Sequence, residues 1–178
     1  MARKTATGRG RPRPSTRGKT VLPAEVFFHD ASCVYDAPIE ALWEFMRDDE
    51  IHGAAHGPTL RNFVGKEISP TCFEATYEVL RDGQWRWSKS RHTEYPPVCK
   101  IGEHLEGDYA GTVFLIQYWP EGTRTRVDVW ARLRSAVLSA RELRAHWRES
   151  FANAYKEDVA VLPKFLKKRS KRAERSAR

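Results

Sequence analysis

The stretch from residue 34 to residue 49 constrains the fold of this chain most strongly; it reads VYDAPIEALWEFMRDD. Pro38 suits the first turn of a helix, where its fixed φ fits and its missing N–H is not needed, and Glu40 favours a helix N-terminus. Apolar side chains then recur at the i, i+3, i+4 and i+7 spacing of one helical face: Ile39, Leu42, Trp43 and Met46. The segment predicts a strand that ends at Tyr35, followed by a short surface helix packed on a core.

The positive charge of the chain is concentrated at its two ends. The formal net charge is +8, but residues 1 to 20 carry +7 and residues 164 to 178 carry another +7, so the body between them is acidic, at −6. The first tail is rich in Gly and Pro and has no large apolar residue after Met1, so we expect it to be disordered. These charges predict a basic tail over residues 1–20, a folded domain over 21–166 and a second basic tail over 167–178.

Several classes of protein are disfavoured by the composition. The three cysteines, Cys33, Cys72 and Cys99, are odd in number and have no CxxC spacing, so we expect buried reduced thiols and neither a disulfide framework nor a zinc ribbon. The chain has no apolar run long enough to span a membrane and no apolar block like that of a signal peptide. We therefore expect a soluble, cytoplasmic protein.

After a second short helix between Asp48 and Gly57, the chain reads as six consecutive strands. We place them near residues 60–68, 72–81, 84–94, 98–107, 112–119 and 125–137. Short turns such as Asp82-Gly83 separate them, which predicts an antiparallel meander. The strand at 112–119 is apolar on both faces, as expected for a central strand or for one covered by a second copy in a homodimer.

Two of the strands alternate cleanly and therefore predict which face is buried. On the strand at 72–81 the predicted buried side chains are Phe73, Ala75, Tyr77 and Val79; on the last strand they are Val127, Val129, Ala131, Leu133 and Val137. On the strand at 84–94 either face could be the buried one, because His92 shares one face with two serines while Trp85 and Trp87 share the other.

A long final helix covers the buried face in this interpretation. Ser139 and Glu142 have the spacing of a capping box that starts a helix. Large side chains then recur every three or four residues: Leu143, Trp147, Phe151, Tyr155, Val159 and Leu162. Pro163 is expected to kink or end the helix, although Phe165 and Leu166 continue the stripe for one turn.

This order of elements is that of the helix-grip fold, and the chain resembles the START-like, or SRPBCC, superfamily, which shares that fold with birch-pollen-allergen-like proteins. Ala37-Pro38, Glu40, Trp43 and Asp48 look like the "aP.e.vW....D" opening of its polyketide cyclase branch. The resemblance covers residues 24 to 168 and implies an α+β fold, in which a seven-stranded curved antiparallel sheet grips the last helix and two short helices follow the first strand.

The resemblance also implies a hydrophobic tunnel between the sheet and the last helix, for a lipid, isoprenoid, polyketide or aromatic ligand. The residues that we expect to line it are Phe73, Tyr77, Leu115 or Phe114, Val129, Leu133, Trp147, Phe151 and Tyr155. The superfamily includes carriers, cyclases, hydratases and coenzyme-Q-binding proteins, so the resemblance selects no activity and leaves open whether this chain is an enzyme. If His92 and Tyr77 both point inward, they could polarise a carbonyl or move a proton.

The segment that contains His52, Gly53, His56 and Gly57 is expected to form a lid at the mouth of the tunnel. The two histidines have the i, i+4 spacing of a metal chelate, but no recognisable motif supplies a third ligand, so we expect neither a metal nor another cofactor.

A second function class follows from the first tail, where Arg9-Gly10-Arg11-Pro12 resembles the core of an AT-hook. Arg9 and Arg11 could enter the minor groove of A·T-rich DNA. In that alternative the tails tether the protein to nucleic acid or another polyanion, and the folded domain is an interaction module.

Overall fold

The computed structural model describes residues 23–176, which form one sheet, two helices and a π-helical turn. In chain order these are β1 (Ala24–Tyr35), α1 (Ile39–Phe45), the π-helical turn (Asp49–Gly53), β2 (Leu60–Ser69), β3 (Cys72–Arg81), β4 (Gln84–Tyr95), β5 (Cys99–Glu106), β6 (Val113–Glu121), β7 (Arg124–Ser135) and α2 (Ala140–Ser176). The α+β architecture with seven strands and a long final helix is confirmed. The expected DNA-binding residues Arg9 and Arg11 lie outside the described residues.

The seven strands form one antiparallel sheet in the order β1-β7-β6-β5-β4-β3-β2. The predicted meander from β2 to β7 is confirmed, and β1 joins its far edge, where Val26 lies opposite Leu133 and Phe28 opposite Ala131. The turn between β3 and β4 has positive φ at Asp82 (49°) and Gly83 (71°). Asp-Gly tolerates that conformation, whose twist matches the flanking strands.

β6 lies inside the sheet between β5 and β7, as its apolar character predicted. Phe114 is buried against the core, whereas Leu115 pairs with Ile101 and Trp130, which are 38% and 49% exposed. Leu115 therefore faces the outer side of the sheet, and Phe114 is the inward member of that pair. A homodimer built on this outer face stays a prediction.

The strand faces agree with the predicted alternation in β7 and only partly in β3. Val127, Val129, Ala131 and Leu133 are buried, but Val137 is 60% exposed because β7 ends at Ser135, so its predicted burial is wrong. On β3 only Ala75 of the predicted face is fully buried; Phe73, Tyr77 and Val79 are half-buried. The cause is the position of α2, which packs on β1 and β7 and leaves the β2 end of the sheet largely exposed.

The inward face of β4 carries Ser88, Ser90, His92 and Glu94, whose side chains are buried or half-buried. Trp87 on the other face is 48% exposed. The face of β4 that carries His92 therefore points inward, which the sequence alone did not decide. Of the three free thiols, Cys33 is buried, whereas Cys72 and Cys99 are only half-buried.

Helix α1 is buried on two sides rather than on one stripe. Its buried residues are Ala41, Leu42, Trp43 and Phe45, and the predicted stripe members Ile39 and Met46 are only partly buried. Phe45 is completely buried because its ring meets Phe165 of α2 at a centroid distance of 5.5 Å. The helix is therefore held between the sheet and the distal part of α2.

Helix α2 continues for 37 residues, with Pro163 inside it. Of the two expectations for Pro163, the end of the helix is therefore wrong, and a kink stays a prediction. The buried side chains on either side of it, Leu162 and Phe165, anchor both halves, and their burial offsets the lost backbone hydrogen bond. Beyond them, Lys168 pairs with Glu50 at 2.6 Å and Arg169 with Glu44 at 2.7 Å, so the second basic segment begins within the fold.

The start of α2 is the predicted capping box. The Ser139 N–H and hydroxyl donate to Glu142 Oε2 at 2.9 and 2.6 Å, and the Glu142 N–H donates to Ser139 Oγ at 3.4 Å. We expect Ser139→Ala to lower the free energy of unfolding by about 1 kcal/mol, because backbone N–H groups of the first turn lose their acceptor. Urea unfolding followed by circular dichroism measures this. Ser150→Ala, at an exposed position in mid-helix, is the matched control and should show no loss.

No helix in the described part of the chain is long and apolar enough to cross a bilayer.

Candidate functional site

A cavity of about 200 Å³ lies between the inner face of the sheet and helix α2. It is bounded by β1, β4 to β7, α1, the π-helical turn and α2. Its lining residues are Cys33, Tyr35, Trp43, Met46, Arg47, His52, His56, Glu94, Lys100, Ile116, Tyr118, Val127, Val129, Phe151, Ala154, Tyr155 and Asp158. The site is thus built from elements far apart in sequence.

One wall of the cavity is apolar. Val127 and Val129 come from the buried face of β7 and Ile116 from β6, because alternate residues of each strand point toward α2. Phe151 and Ala154 approach from the helix. Phe151 stacks on Phe28 at 6.0 Å, which fixes its ring against β1.

The opposite wall is polar and centres on Asp158, which is 4% exposed. The Tyr35 hydroxyl donates to its Oδ2 at 2.9 Å. Its Oδ1 lies 3.2 Å from His56 Nε2 and 3.4 Å from His52 Nε2, yet makes no hydrogen bond of normal geometry to any described residue. Burial, followed by the Asp158 charge, raises the pKa of Tyr35 well above its usual value, so its hydroxyl stays protonated.

The two histidines are held by local backbone geometry and by helix α2. Asp48 caps the π-helical turn by accepting the Ile51 N–H at 2.8 Å, and the ring of Phe45 packs edge-on against His52 at 5.1 Å. His56 Nδ1 lies 2.7 Å from Glu157 Oε2. Burial lowers the pKa of His52 to about 4, whereas the Asp158 and Glu157 carboxylates raise the pKa of His56.

A second set of charged side chains, Arg47, Glu94 and Lys100, lines another part of the cavity. Glu94 lies 3.8 Å from Lys100 Nζ and 3.7 Å from Arg47. Burial lowers the pKa of the Lys100 ammonium, and the Glu94 charge opposes that shift. Arg47, with 56% of its side chain exposed, marks the solvent side.

The sequence-predicted liners are spread over the sheet and core. Val129, Phe151 and Tyr155 line the cavity. Leu133, Trp147 and Phe114 belong to the packed core, Leu115 faces the outer side of the sheet, and Phe73 and Tyr77 lie on β3, toward the exposed end of the sheet. Whether any of them contacts a ligand stays a prediction, as does lid motion of the segment with His52, Gly53, His56 and Gly57.

His92 and Tyr77 are not brought together. His92 pairs with Phe73 across β3 and β4, and Tyr77 lies four residues further along β3, roughly 13 Å away. His92 is enclosed by the ring of Phe73, stacked at 4.9 Å, and by Ser90, whose hydroxyl lies 2.8 Å from Nε2. That spacing is too large for the two side chains to act on one carbonyl.

Asp158 is the central polar residue of the cavity, and the sequence did not predict it. Nor did the sequence predict as cavity residues Tyr35, Glu94 and Lys100. Asp158 lies three residues after Tyr155 and four before Leu162, on the same face of α2. A carboxylate inside an apolar stripe is costly unless it has buried partners. That interruption was the available signal for a polar site beneath the helix.

No protein-family model matches the chain, and comparison with curated proteins finds no significant match.

Solved structures with the same fold are nevertheless found. A START superfamily protein from Mycobacterium smegmatis is 13% identical with a TM-score of 0.63, over 79% of this chain and 97% of that one. The Zhui aromatase/cyclase from Streptomyces sp. R1128 is 16% identical with a TM-score of 0.59, over 80% and 93%. Norcoclaurine synthase from Thalictrum flavum, in complex with dopamine and hydroxybenzaldehyde, is 10% identical with a TM-score of 0.58, over 90% and 97%. The chain therefore has the helix-grip fold of START-like and birch-pollen-allergen-like proteins.

Proposed function

We propose that this protein binds a small, mainly apolar molecule, with at least one oxygen function, in the cavity between the sheet and α2. The observation that carries the proposal is the division of the cavity into an apolar wall of Ile116, Val127, Val129 and Phe151 and a polar wall around Asp158. Ligand sites in proteins commonly combine an apolar lining with a few converging polar groups that fix orientation.

The size of the cavity favours a compact ligand. Its volume of about 200 Å³ is below the ~300–1,000 Å³ of sites that take drug-sized molecules. One or two rings with a carbonyl or hydroxyl group suit that volume better than a long lipid chain. The solved norcoclaurine synthase complex, which holds two small aromatic compounds on the same fold, supports this choice.

Any cyclase-like or hydratase-like chemistry would be centred on the polar wall. Tyr35 is a protonated donor, and the two cavity histidines and Asp158 surround the same space. Proton transfer requires such groups within hydrogen-bonding reach of the substrate. We therefore assign this role to the polar wall rather than to His92 and Tyr77.

The test is to fill the cavity from the helix side. Ala154 lines the cavity, and its replacement by tryptophan adds a large ring where the ligand would lie. We expect Ala154→Trp to weaken binding of 2-naphthol, a neutral fluorescent compound with two rings and one hydroxyl group, at least tenfold in a fluorescence titration. Ala152→Trp is the control, because Ala152 is exposed on the same helix, and it should bind like the wild type. Equal affinity in all three proteins would contradict the proposed site.

A further inference from the structure

The side chains of His52, His56 and Asp158 converge on one point at the edge of the cavity. Their ligand atoms, the two Nε2 nitrogens and Asp158 Oδ1, are separated by 3.1, 3.2 and 3.4 Å. Each of the three side chains offers one atom that can bind a metal ion, and all three atoms lie within 4.8 Å of one another. Two imidazoles and one carboxylate form a frequent donor set for transition metals.

We propose that these three residues bind one divalent transition-metal ion, such as Zn²⁺ or Fe²⁺. An ion about 2.0–2.2 Å from each ligand atom places neighbouring ligand atoms about 2.8–3.1 Å apart in octahedral geometry and about 3.3–3.6 Å apart in tetrahedral geometry, so distorted sites span about 2.8–3.6 Å. The observed separations fall in that range. Imidazole ligands favour such ions over Mg²⁺ and Ca²⁺, which prefer all-oxygen sites.

The outer hydrogen bonds of His56 and Asp158 turn their metal-facing atoms toward His52, whose Nε2 lies within hydrogen-bond distance of His56 Nε2, at 3.1 Å. Glu157 accepts from His56 Nδ1 at 2.7 Å, which puts the proton of a neutral ring on Nδ1 and the lone pair on Nε2. The Tyr35 hydroxyl occupies Asp158 Oδ2, which leaves Oδ1 as the buried carboxylate oxygen without a hydrogen-bonded partner among the described residues. Such outer partners fix the orientation of ligands in known metal sites.

A metal ion is one of two ways to join these converging atoms; the other is a proton on His52 Nε2, donated to His56 Nε2 at 3.1 Å. Oδ1 and His56 Nε2 are both acceptors when the ring is neutral, and acceptors 3.2 Å apart repel each other. A bound metal ion removes this repulsion and satisfies all three atoms. The competing occupants are protons, either one on His52 Nε2 that is donated to His56 or a second one on His56, and the experiment below separates them from a metal ion.

The site has an entrance and open coordination positions. The side chains of His52 and His56 are 22% and 18% exposed, so an ion can enter from solvent. All three ligand residues also line the cavity, so the remaining positions of the ion face the ligand space. An oxygen of a cavity ligand could complete the coordination shell there, where a metal acts as a Lewis acid.

The decisive experiment is a metal titration of the untagged full-length protein after dialysis against a chelator. We expect calorimetry to show one Zn²⁺ per chain, and Co²⁺ to give the visible d–d absorption of a nitrogen-ligated ion. Mg²⁺ and Ca²⁺ should not compete. Asp158→Asn and His52→Ala should each lower Zn²⁺ affinity at least 100-fold, whereas His146→Ala, at a half-buried histidine beside Tyr109, should leave it unchanged.

Glu157→Gln provides a milder variant in case the ligand substitutions unfold the protein, which circular dichroism would reveal. It keeps the three ligands and weakens the orientation of His56, so affinity should fall about 10- to 100-fold. Lack of Zn²⁺ binding by the wild type would overturn the proposal and favour a proton on His52 Nε2 or a second one on His56. Unchanged affinity in Glu157→Gln, or in folded Asp158→Asn, would also overturn it. The measurement involves no apolar probe, so its failure is distinct from failure of the proposed ligand function.

Discussion

Phe45→Ala is expected to lower the free energy of unfolding by about 3–5 kcal/mol, the usual cost of removing a buried phenylalanine ring. Phe45 is fully buried and contacts both Phe165 of α2 and His52 of the π-helical turn. Its removal leaves a cavity where three elements meet, and none of them can close it alone. Urea unfolding followed by tryptophan fluorescence measures the change.

Phe27→Ala is the matched control for that substitution. Phe27 is 76% exposed on β1, so its truncation should change the free energy of unfolding by less than about 0.5 kcal/mol. A loss below about 1 kcal/mol in Phe45→Ala would show that α1 and the distal part of α2 do not form one packed unit. A large loss together with weaker Zn²⁺ binding would indicate that the ring also positions His52.

Acid is expected to destabilise the protein between pH 7 and pH 5 because burial lowers the pKa of three histidines on the inner side of the sheet, His52, His92 and His104. Burial lowers the pKa of His92 to about 3 and that of His104 to about 4. Both values lie below the ordinary 6.5 of the unfolded chain, so the unfolded state binds protons first as pH falls. The stabilisation that these neutral histidines give to the folded state is present above pH 6.5 and is lost as the pH falls toward 4. At pH 5 the loss is about 2 kcal/mol for each histidine.

The measurement is the free energy of unfolding at pH 7.5 and pH 5.0 for the wild type and for the double variant His92→Gln/His104→Gln. The double variant should lose a large part of the pH dependence even if it is less stable at both pH values, and His52, whose pKa burial also lowers to about 4, should retain the remainder. His29→Gln, at an exposed position, should keep the wild-type difference. An unchanged pH dependence in the double variant would mean that other groups cause the acid sensitivity.

Much of the fold could be predicted because it is encoded locally. Asp82-Gly83 specifies a two-residue turn, Ser139 and Glu142 specify a helix start, and the alternation of β7 specifies its buried face. Each of these signals depends on residues within one element or one turn. The order of such elements was then sufficient to indicate the helix-grip architecture.

The errors have a common physical cause, which is packing between distant segments. Pro163 does not end α2, because the burial of Leu162 and Phe165 overrides its local preference. Val137 is exposed because its strand stops two residues earlier. β3 is less buried than its pattern predicted because α2 covers only the other end of the sheet.

The candidate site was less predictable than the fold. His52 and His56 could be paired from their spacing, but Asp158 lies more than 100 residues away and has no sequence motif. Tyr35 was read as the end of a strand, although its hydroxyl orients that carboxylate. Only the three-dimensional structure brings them together and places a buried carboxylate beside the two histidines.

The central claim, that the cavity beneath α2 holds a small ligand, is tested most directly by native mass spectrometry of the freshly purified full-length protein. We expect the wild type and Ala152→Trp to carry a noncovalently bound small molecule that is lost on denaturation, and Ala154→Trp to carry none. Wild-type protein free of any bound molecule, or Ala154→Trp with the same bound mass as the wild type, would contradict the claim.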